Sequence, residues 1–543
     1  MIGTAGATYS MNLSITESYN LADQFVDRHI REGRGARRAV ICGDASLSYA
    51  EVATLVNRVG NGLLRVGVQE EQRVLLVLPD SPEFVAAYFG IMKMGAVAVP
   101  ASPALRAQDY DYFLNTTRAR VLIVCSSVFP VLASILGRQH YLHQVIVVGA
   151  PQDGAPQDSY LSWDKWLNES SPNLEPALTS KDDVAFWLWT SGSTGRPKAA
   201  VHLHQDWISC CENYAGQVLK IGPEDITFSS SHLFHAYGLG NGLMFPFYAG
   251  ASTVLLRGNA EAGEILETAQ NNKVTLLFSV PALYSAMLTE TRQNDTRQNY
   301  DLGSVRLAVS ATNPLSSEIV RDWKKRFGIE ILDGIGSTEV LHIYLSARPG
   351  SVRPGSTGQA VPGYELRIID QSGVEVEPGT IGELLVAGES IAPYYWNSRS
   401  MTVNRMRGNW FYTGDNYRMD EQGFFWYAGR SHGLPRVSSQ WVSPGEVANA
   451  LMEHPFVLNA AVVPYKGKDH LETPGAFVIL REGIAATPNL TRDLQDFVKE
   501  RITPHRYPHP IKSDGDVSRT AEGGRHRSPD FLVEMESLVW RLL

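Results

Sequence analysis

The sequence predicts an α/β protein. We expect a large N-terminal domain of layered parallel sheets and helices that carries a small β-subdomain, followed by a small α+β domain. Strand-like and helix-like segments alternate over residues 19–149, and repeated βα units imply a parallel sheet with helices on both faces. Residues 355–388 alternate short strands with turns, which predicts the β-subdomain. A chain of 543 residues is also too long for one core.

The first elements follow from apolar runs and their periodicity. Residues 39–42 and 73–78 are apolar runs that predict strands, whereas residues 49–66 carry apolar residues at helical spacing. Ser81-Pro82 opens a second helix that runs through Ile91, because Ser is a good N-cap and Pro suits the first helical position.

The C-terminal part has an apolar pattern of its own. Residues 447–451, 460–463 and 475–480 predict a helix and two strands. Together they make up a compact unit of ~110 residues, which is a normal domain size. Earlier in the chain, residues 153–181 are polar and rich in Pro and Ser, so we expect a surface connection there, before the strand-like run 184–189.

Composition excludes some function classes. The formal net charge of −9 argues against nucleic acid as a partner, since phosphate backbones require clustered Lys and Arg. The four cysteines, Cys42, Cys125, Cys210 and Cys211, lack metal-ligand spacing and are expected to be buried thiols in a reducing compartment. Residues 1–10 contain no apolar signal region, and no later run is long enough to span a bilayer. We therefore expect a cytoplasmic protein.

The most informative stretch is Thr190-Ser191-Gly192-Ser193-Thr194-Gly195-Arg196-Pro197-Lys198, which follows the strand-like run 184–189. Glycines let backbone N–H groups approach an anion, hydroxyls add donors, and a lysine adds charge. This combination indicates phosphate binding, although a surface turn has a similar composition. It is not a GxxxxGK[ST] loop, because no Ser or Thr follows Lys198.

A second motif is Asp333-Gly334-Ile335-Gly336-Ser337-Thr338-Glu339. It combines a hydroxyl that can reach a phosphate, on Thr338, with a carboxylate that can hold Mg²⁺ against phosphate oxygens, on Glu339. A third, Tyr412-Thr413-Gly414-Asp415, offers a carboxylate for ribose hydroxyls, and a solvated turn Asp would look the same in isolation.

These three motifs, in this order, resemble those of the adenylate-forming superfamily, which comprises acyl- and aryl-CoA ligases, peptide-synthetase adenylation domains and firefly luciferases. The continuation from Val340 to Ser346 looks most like aryl-CoA ligases of the benzoate type. The resemblance covers essentially the whole chain after the first ten residues. It implies a bulky cyclic or aryl acid as substrate, with coenzyme A and the AMP moiety of an acyl-adenylate as ligands and Mg²⁺ as a further one.

The resemblance also implies a role for each matching position. The catalytic positions are Lys198, His235, Thr338 and Glu339, the last also being the metal ligand. Nucleotide and coenzyme A are expected to contact Thr190, Ser191, Gly192, Ser193, Thr194, Gly195, Thr312, Asn313, Pro314, Asp333, Gly334, Ile335, Gly336, Ser337, Asp415, Tyr427, Arg430 and Ser439. The acyl group is expected to contact His235, Tyr237, Gly238, Gly336 and His342.

Four histidines have alternative interpretations. His232 and His235 precede an apolar helical run and could be packed core residues instead of pocket residues. His202-Leu203-His204-Gln205-Asp206 matches the HxHxD start of a metallo-hydrolase site within a helix-like stretch. Trp207 stands where a further histidine would be needed, so a metal site is not favoured.

Two departures from the family pattern bear on function. The family places a lysine near the C-terminus, which bridges the attacking carboxylate and the α-phosphate during adenylation; Gly524 occupies that position. The resemblance implies a mobile C-terminal domain with its hinge at residues 430–432, between a domain of residues 1–429 and one of residues 433–543. In the hinge segment, His432 and Gly433 replace two acidic residues and Ser439 replaces a glycine.

The sequence therefore predicts an acyl-CoA synthetase that transfers the acyl group of a preformed acyl-adenylate to coenzyme A without adenylating the acid itself. A separate adenylating enzyme would then supply the adenylate. The alternatives are a complete ATP-dependent acid–CoA ligase, a non-catalytic acyl-adenylate or nucleotide-binding protein, and an enzyme that loads a carrier protein. Neither nucleic acid nor membrane is expected as a partner, and a homodimer is possible.

Overall fold

In this computed structural model, the described residues are 18–150, 160–190, 196–258, 260–293, 300–430, 436–437, 440–441, 444–466, 472–481, 483–485, 487–501 and 511–513. Within them the helices are α1 (Arg28–Arg31), α2 (Tyr49–Arg65), α3 (Pro82–Lys93), α4 (Ala107–Thr117), α5 (Phe129–Leu136), α6 (Trp163–Asn168), α7 (Asp206–Cys210), α8 (Ala236–Leu239), α9 (Phe245–Ala249), α10 (Ala262–Asn271), α11 (Pro281–Gln293), α12 (Ser317–Phe327), α13 (Arg399–Arg405), α14 (Pro444–Met452) and α15 (Pro488–Arg501). Asp23–Asp27, Cys211–Val218 and Gly240–Met244 are π-helical, and Thr338–Val340 forms a 3₁₀ turn.

Two large sheets form the N-terminal part. The strands of the nine-stranded sheet are β1 (Arg38–Cys42), β2 (Ala45–Ser48), β10 (Ile226–Ser229), β11 (Ser252–Leu255), β12 (Leu276–Ser279), β13 (Leu307–Ser310), β14 (Ile331–Gly336), β15 (Ile343–Ser346) and β16 (Gln359–Ala360). Among the described residues their order is β16-β15-β14-β13-β12-β10-β11-β1-β2. The run from β14 to β1 is parallel, which places its carboxyl ends along one edge.

The eight-stranded sheet consists of β3 (Arg73–Val77), β4 (Val97–Pro100), β5 (Val121–Cys125), β6 (Gln144–Val148), β7 (Leu161–Ser162), β8 (Val184–Thr190), β9 (Lys198–Leu203) and β19 (Tyr394–Tyr395). Among the described residues its order is β19-β9-β8-β4-β3-β5-β6-β7. The strands from β8 to β7 are parallel, whereas β9 is antiparallel to both β8 and β19.

An antiparallel sheet follows, formed by β17 (Glu365–Ile369), β18 (Gly382–Ala387), β20 (Met406–Arg407), β21 (Trp410–Met419) and β22 (Phe425–Arg430). The remaining strands are β23 (Arg436–Val437) and β24 (Gln440–Trp441), which pair together, and the C-terminal sheet of β25 (Val457–Lys466), β26 (Glu472–Leu480) and β27 (Ile511–Ser513). Helices α14 and α15 contribute Val447, Leu451, Leu494 and Val498 to a core with the C-terminal sheet. The predicted fold class is therefore confirmed, including its β-subdomain and its α+β part.

Local sequence signals explain the first helices. Ser48 and Glu51 form a capping box at the start of α2, and the Ser81 hydroxyl accepts from the Phe84 N–H at the start of α3. Helices α2 and α3 pack closely because Gly90 faces Val59, where an added Cβ would lie 2.6 Å from the valine Cβ. Both helices start within one residue of the predicted positions.

Two expectations were wrong. The connection expected over residues 153–181 contains α6, in which Trp163 and Trp166 are buried. Burial of these large aromatic rings is favourable even though the segment around them is polar. The HxHxD segment is not helical at its start: His202 lies in β9, and α7 begins only at Asp206.

All four cysteines are buried and free, as expected. In the described part of the chain, no helix has the length and apolar character needed to cross a membrane.

Candidate active site

The carboxyl ends of both large sheets converge on the predicted motifs. In the nine-stranded sheet, Ser310 at the end of β13 is in register with Asp333 on β14. This pairing places the segment Thr312-Asn313-Pro314 beside the Asp333–Glu339 motif. Thr312 has φ +79°, a left-handed backbone conformation that is strained for a β-branched residue.

The ends of the predicted phosphate loop are anchored on the eight-stranded sheet. Thr190 on β8 pairs with Lys198 on β9, so the loop is the connection of a hairpin. The Tyr112 hydroxyl donates to the Pro197 carbonyl at 3.0 Å, and the Arg196 guanidinium lies 5.3 Å from the Tyr112 ring centroid. Residues Ser191 to Gly195 themselves lie outside the described residues.

Lys198 and Glu339 lie near each other where the two large sheets pack together. The Tyr395 hydroxyl, on β19, donates to Glu339 Oε1 at 2.6 Å, and the Ala392 N–H donates to the Glu339 carbonyl at 2.8 Å. Burial lowers the pKa of Lys198, and the neighbouring Arg405 lowers it further, whereas the Glu339 carboxylate opposes both effects. A buried carboxylate and a cation of lowered pKa thus share one corner.

This corner suits a Mg²⁺ ion shared with a nucleotide. Mg²⁺ is usually bound by one or two carboxylates and completes its coordination with phosphate oxygens and water. Glu339 is 8% exposed and fixed through Tyr395, so it can serve as such a carboxylate. Across the described ranges, no group of three or more His, Cys, Asp or Glu side chains could hold a metal ion with protein ligands alone.

A cluster of rings lies beside this corner. His342 packs against Tyr237, with centroids 5.7 Å apart and planes at 28°, and against Phe245 at 4.5 Å and Tyr214 at 5.8 Å. Burial lowers the pKa of His342 to about 3, so its ring is neutral at physiological pH. The structure therefore brings together two predicted acyl-pocket residues, Tyr237 and His342, in an uncharged aromatic environment.

The segment from His232 to Gly238, which carries predicted pocket residues, is held in place through its backbone. The Leu233 N–H donates to Asp80 Oδ1 at 2.9 Å, which links the loop to the end of β3. Gly238 lies so close to the His232 carbonyl that any Cβ would overlap it. His235 is exposed at the N-cap position of α8, and its predicted contact with the acyl group stays a prediction.

The predicted ribose residues lie on the antiparallel sheet. Asp415, on β21, is 8% exposed and in register with Arg430 on β22, and its N–H donates to the Thr413 hydroxyl at 3.0 Å. Tyr427 packs edge-on against Tyr417 with centroids 5.4 Å apart. The carboxylate and the two aromatic positions therefore share one pair of strands.

Sequence reasoning missed Tyr395 and Arg405. Arg405 is the last residue of α13, and its Nη1 donates to the Tyr412 carbonyl at 2.9 Å, against the backbone of Gly414, whose φ is +75°. Because this guanidinium also acts on Lys198, it is a second cation at the corner. The available signal was its position seven residues before the Tyr412-Thr413-Gly414-Asp415 motif, which alone does not distinguish it from a surface arginine.

The HxHxD segment forms no metal site. His202 Nδ1 contacts Asp206 Oδ2 at 2.8 Å and its Nε2 donates to the Thr338 carbonyl at 2.8 Å, while His204 Nδ1 accepts from the Leu21 N–H at 3.1 Å. Both nitrogens of His202 are therefore engaged within the protein. Ser439, His432, Gly433 and Gly524 lie outside the described residues, so their predicted roles remain predictions.

Comparison with known families matches most of the chain. Residues 26–396 match the family described as AMP-binding enzyme, and residues 446–523 match the AMP-binding enzyme C-terminal domain. The benzoate–CoA ligase of Thauera aromatica is 40% identical over 513 residues, covering 94% of this chain and 95% of the relative. The 4-hydroxybenzoate–CoA/benzoate–CoA ligase of Rhodopseudomonas palustris is 39% identical over 510 residues, covering 94% and 93%.

Solved structures agree with these matches. An anthranilate CoA ligase in complex with anthranoyl-AMP superposes with a TM-score of 0.87 at 34% identity, covering 98% of this chain and 99% of that one. A benzoate CoA ligase from Burkholderia xenovorans LB400 gives a TM-score of 0.82 at 35% identity, covering 92% and 96%.

The packing of His342 leads to a stability prediction. An added Cβ at Gly240 would overlap the His342 ring, so Gly240→Ala should lower the Tm by an amount that corresponds to ~1–3 kcal/mol of overpacking. Gly137→Ala is the matched control, since Gly137 has helical φ and nothing within 4 Å of an added Cβ. Scanning calorimetry that gave equal Tm values for the two variants would contradict the packing described for His342.

Proposed function

Since this chain belongs to the AMP-binding enzyme family, we propose that it is an acid–thiol ligase that joins an aromatic acid to coenzyme A. The observation that carries this proposal is the neutral ring cluster around His342, which follows the Thr338 and Glu339 corner by three residues along the chain. The relatives named for benzoate and anthranilate support the choice of an aryl acid.

The proposed reaction needs no covalent intermediate on the protein. The thiol sulfur attacks the carboxyl carbon of the acyl-adenylate, the bond from that carbon to the phosphate oxygen breaks, and AMP leaves with the electron pair while the thiol proton is released to solvent. Negative charge accumulates on the phosphate, where Lys198 and the Thr338 hydroxyl would stabilise it. Glu339 would hold Mg²⁺, whose contribution there is to neutralise phosphate oxygens. Asp415 would accept hydrogen bonds from the ribose.

In its finer form, we propose that the enzyme performs the thioesterification half alone, on an adenylate made elsewhere. Gly524 stands where the resemblance places the adenylation lysine, and losing one preorganised donor costs ~10²–10³ in rate. The division at residues 430–432 and a mobile domain of residues 433–543 belong to the same proposal.

A complete ATP-dependent ligase is the second candidate, and Arg405 favours it. Its guanidinium neighbours Lys198 and lies against Gly414, so the large domain holds a further cation near the expected phosphate position. Such a cation could offset charge during adenylation without help from the C-terminal domain.

Two reaction mixtures distinguish the candidates. One contains benzoate, ATP and coenzyme A, and the other contains synthetic benzoyl-adenylate and coenzyme A. The half-reaction proposal requires thioester only, or overwhelmingly, in the second mixture. Thioester with matching pyrophosphate release in the first establishes the complete ligase, and binding of the adenylate with thioester in neither mixture indicates a binding protein.

We predict that Asp415→Ala weakens AMP binding by about 10- to 100-fold, because hydrogen bonds to a carboxylate contribute ~1.5–3 kcal/mol. Asp370→Ala is the control, since Asp370 is an exposed turn carboxylate beside the same sheet. Equal Kd values for the two variants in titration calorimetry would remove Asp415 from the nucleotide site.

Arg405→Gln tests the second candidate. If Arg405 stabilises adenylation, pyrophosphate release from benzoate and ATP should fall by ~10²–10³. Thioester formation from benzoyl-adenylate should fall much less. Arg399→Gln, at the exposed start of the same helix, should leave both rates unchanged. Pyrophosphate release that survives Arg405→Gln would show that another cation acts in adenylation.

A further inference from the structure

The 3₁₀ turn Thr338–Val340 is held by side chains and backbone from other elements. The Thr338 carbonyl accepts from His202 Nε2 at 2.8 Å, and the Val340 carbonyl accepts from the Ser390 hydroxyl at 2.7 Å. Directly after the turn, Leu341 has φ +74° and ψ −45°, close to the rare and strained γ-turn conformation. Strain of this kind persists only where the surroundings fix it. Within the turn the Ser337 hydroxyl accepts from the Val340 N–H at 3.3 Å, so the turn is held both by this local cap and by its outside partners.

One of those partners, His202, forms a buried pair with Asp206. The side chains of His202 and Asp206 are 0% and 1% exposed, and Nδ1 and Oδ2 lie 2.8 Å apart. The Leu203 N–H donates to the same carboxylate oxygen at 3.0 Å, and the Phe186 ring stacks on His202 with planes at 12°. The imidazole is thus fixed by a carboxylate at one edge and by an aromatic ring on one face.

The direction of the hydrogen bond to Thr338 fixes the proton. A carbonyl oxygen can only accept, so His202 Nε2 must carry hydrogen, and the 2.8 Å contact between Nδ1 and Asp206 Oδ2 requires one further hydrogen on one of those two atoms. Burying such a pair is a weak source of stability, because apolar residues of similar volume often serve as well or better. Stability alone therefore does not account for a buried His–Asp pair at this place.

We propose that His202 and Asp206 are positioning residues: Asp206 orients the imidazole, and His202 holds the Thr338 carbonyl so that the Thr338 hydroxyl and the Glu339 carboxylate face the phosphate. This inference rests on the proposed function, since it assigns Thr338 a phosphate contact. A displacement of ~1 Å in such a group costs ~10²-fold in rate.

The first test uses variants that separate shape from hydrogen bonding. His202→Phe combined with Asp206→Leu keeps a ring against Phe186 and removes the carboxylate that would otherwise be buried alone. We expect kcat for thioester formation from benzoyl-adenylate and coenzyme A to fall ~10- to 100-fold, with KM changed by less than about 3-fold. His202→Gln, whose amide nitrogen reaches near the Nε2 position, should recover most of the rate. His202→Asn, which is too short to reach Thr338, should not.

The second test measures coupling to Thr338. If the pair acts through Thr338, the double substitution His202→Phe with Asp206→Leu should change the rate by less than about 3-fold in a Thr338→Ala background, because coupled residues are not additive. An equal loss in both backgrounds would overturn the proposal, and so would a folded double variant with the wild-type rate. If that variant does not fold, equal rates for His202→Gln and His202→Asn overturn it instead. A Thr338→Ala variant with full activity would refute the assigned phosphate contact, and with it the proposed site, separately from the pair.

Discussion

The candidate site depends on one contact between the two large sheets. The turn at the end of β14 belongs to the nine-stranded sheet, whereas His202 and Tyr395, which hold its Thr338 carbonyl and Glu339 carboxylate, belong to the eight-stranded sheet. A strained residue, Leu341, follows the turn, which is held by the local Ser337 cap together with these contacts from the other sheet. The groups that would act on phosphate are therefore in place only when the two sheets are packed together.

That packing also determines the electrostatics. Glu339 is buried with a hydroxyl donor on one oxygen, and Lys198 lies close enough to Arg405 and Glu339 for both to act on its pKa. A site of this kind gains affinity for phosphate because its donors are already oriented and partly shielded from water. The ring cluster beside it carries no charge, since burial keeps His342 neutral. A polar corner around Glu339 and a buried, uncharged ring cluster around His342 thus lie three residues apart along the chain.

The parts of the site that could be predicted are those encoded in contiguous segments. The motif from Asp333 to Glu339 and the predicted pocket residues Tyr237 and His342 were singled out from the sequence, and in the structure the rings of Tyr237 and His342 stack on each other close to that motif. Tyr395 was missed because its role arises from a two-residue strand pairing with β9. Arg405 was missed because only the folded chain brings its guanidinium close to Lys198, which lies far from it in the sequence.

The sequence by itself determined the fold class, the order of the motifs and the positions of several elements, including α2, α3 and β3, because apolar periodicity, caps and glycine-rich turns act over a few residues. Tertiary structure alone decided what His202 and Asp206 do. In the sequence the two residues belong to an HxHxD pattern that suggests metal binding. In the folded chain they form a buried pair on the Thr338 carbonyl, because the partner of that imidazole lies 136 residues away and reaches it only when the sheets pack.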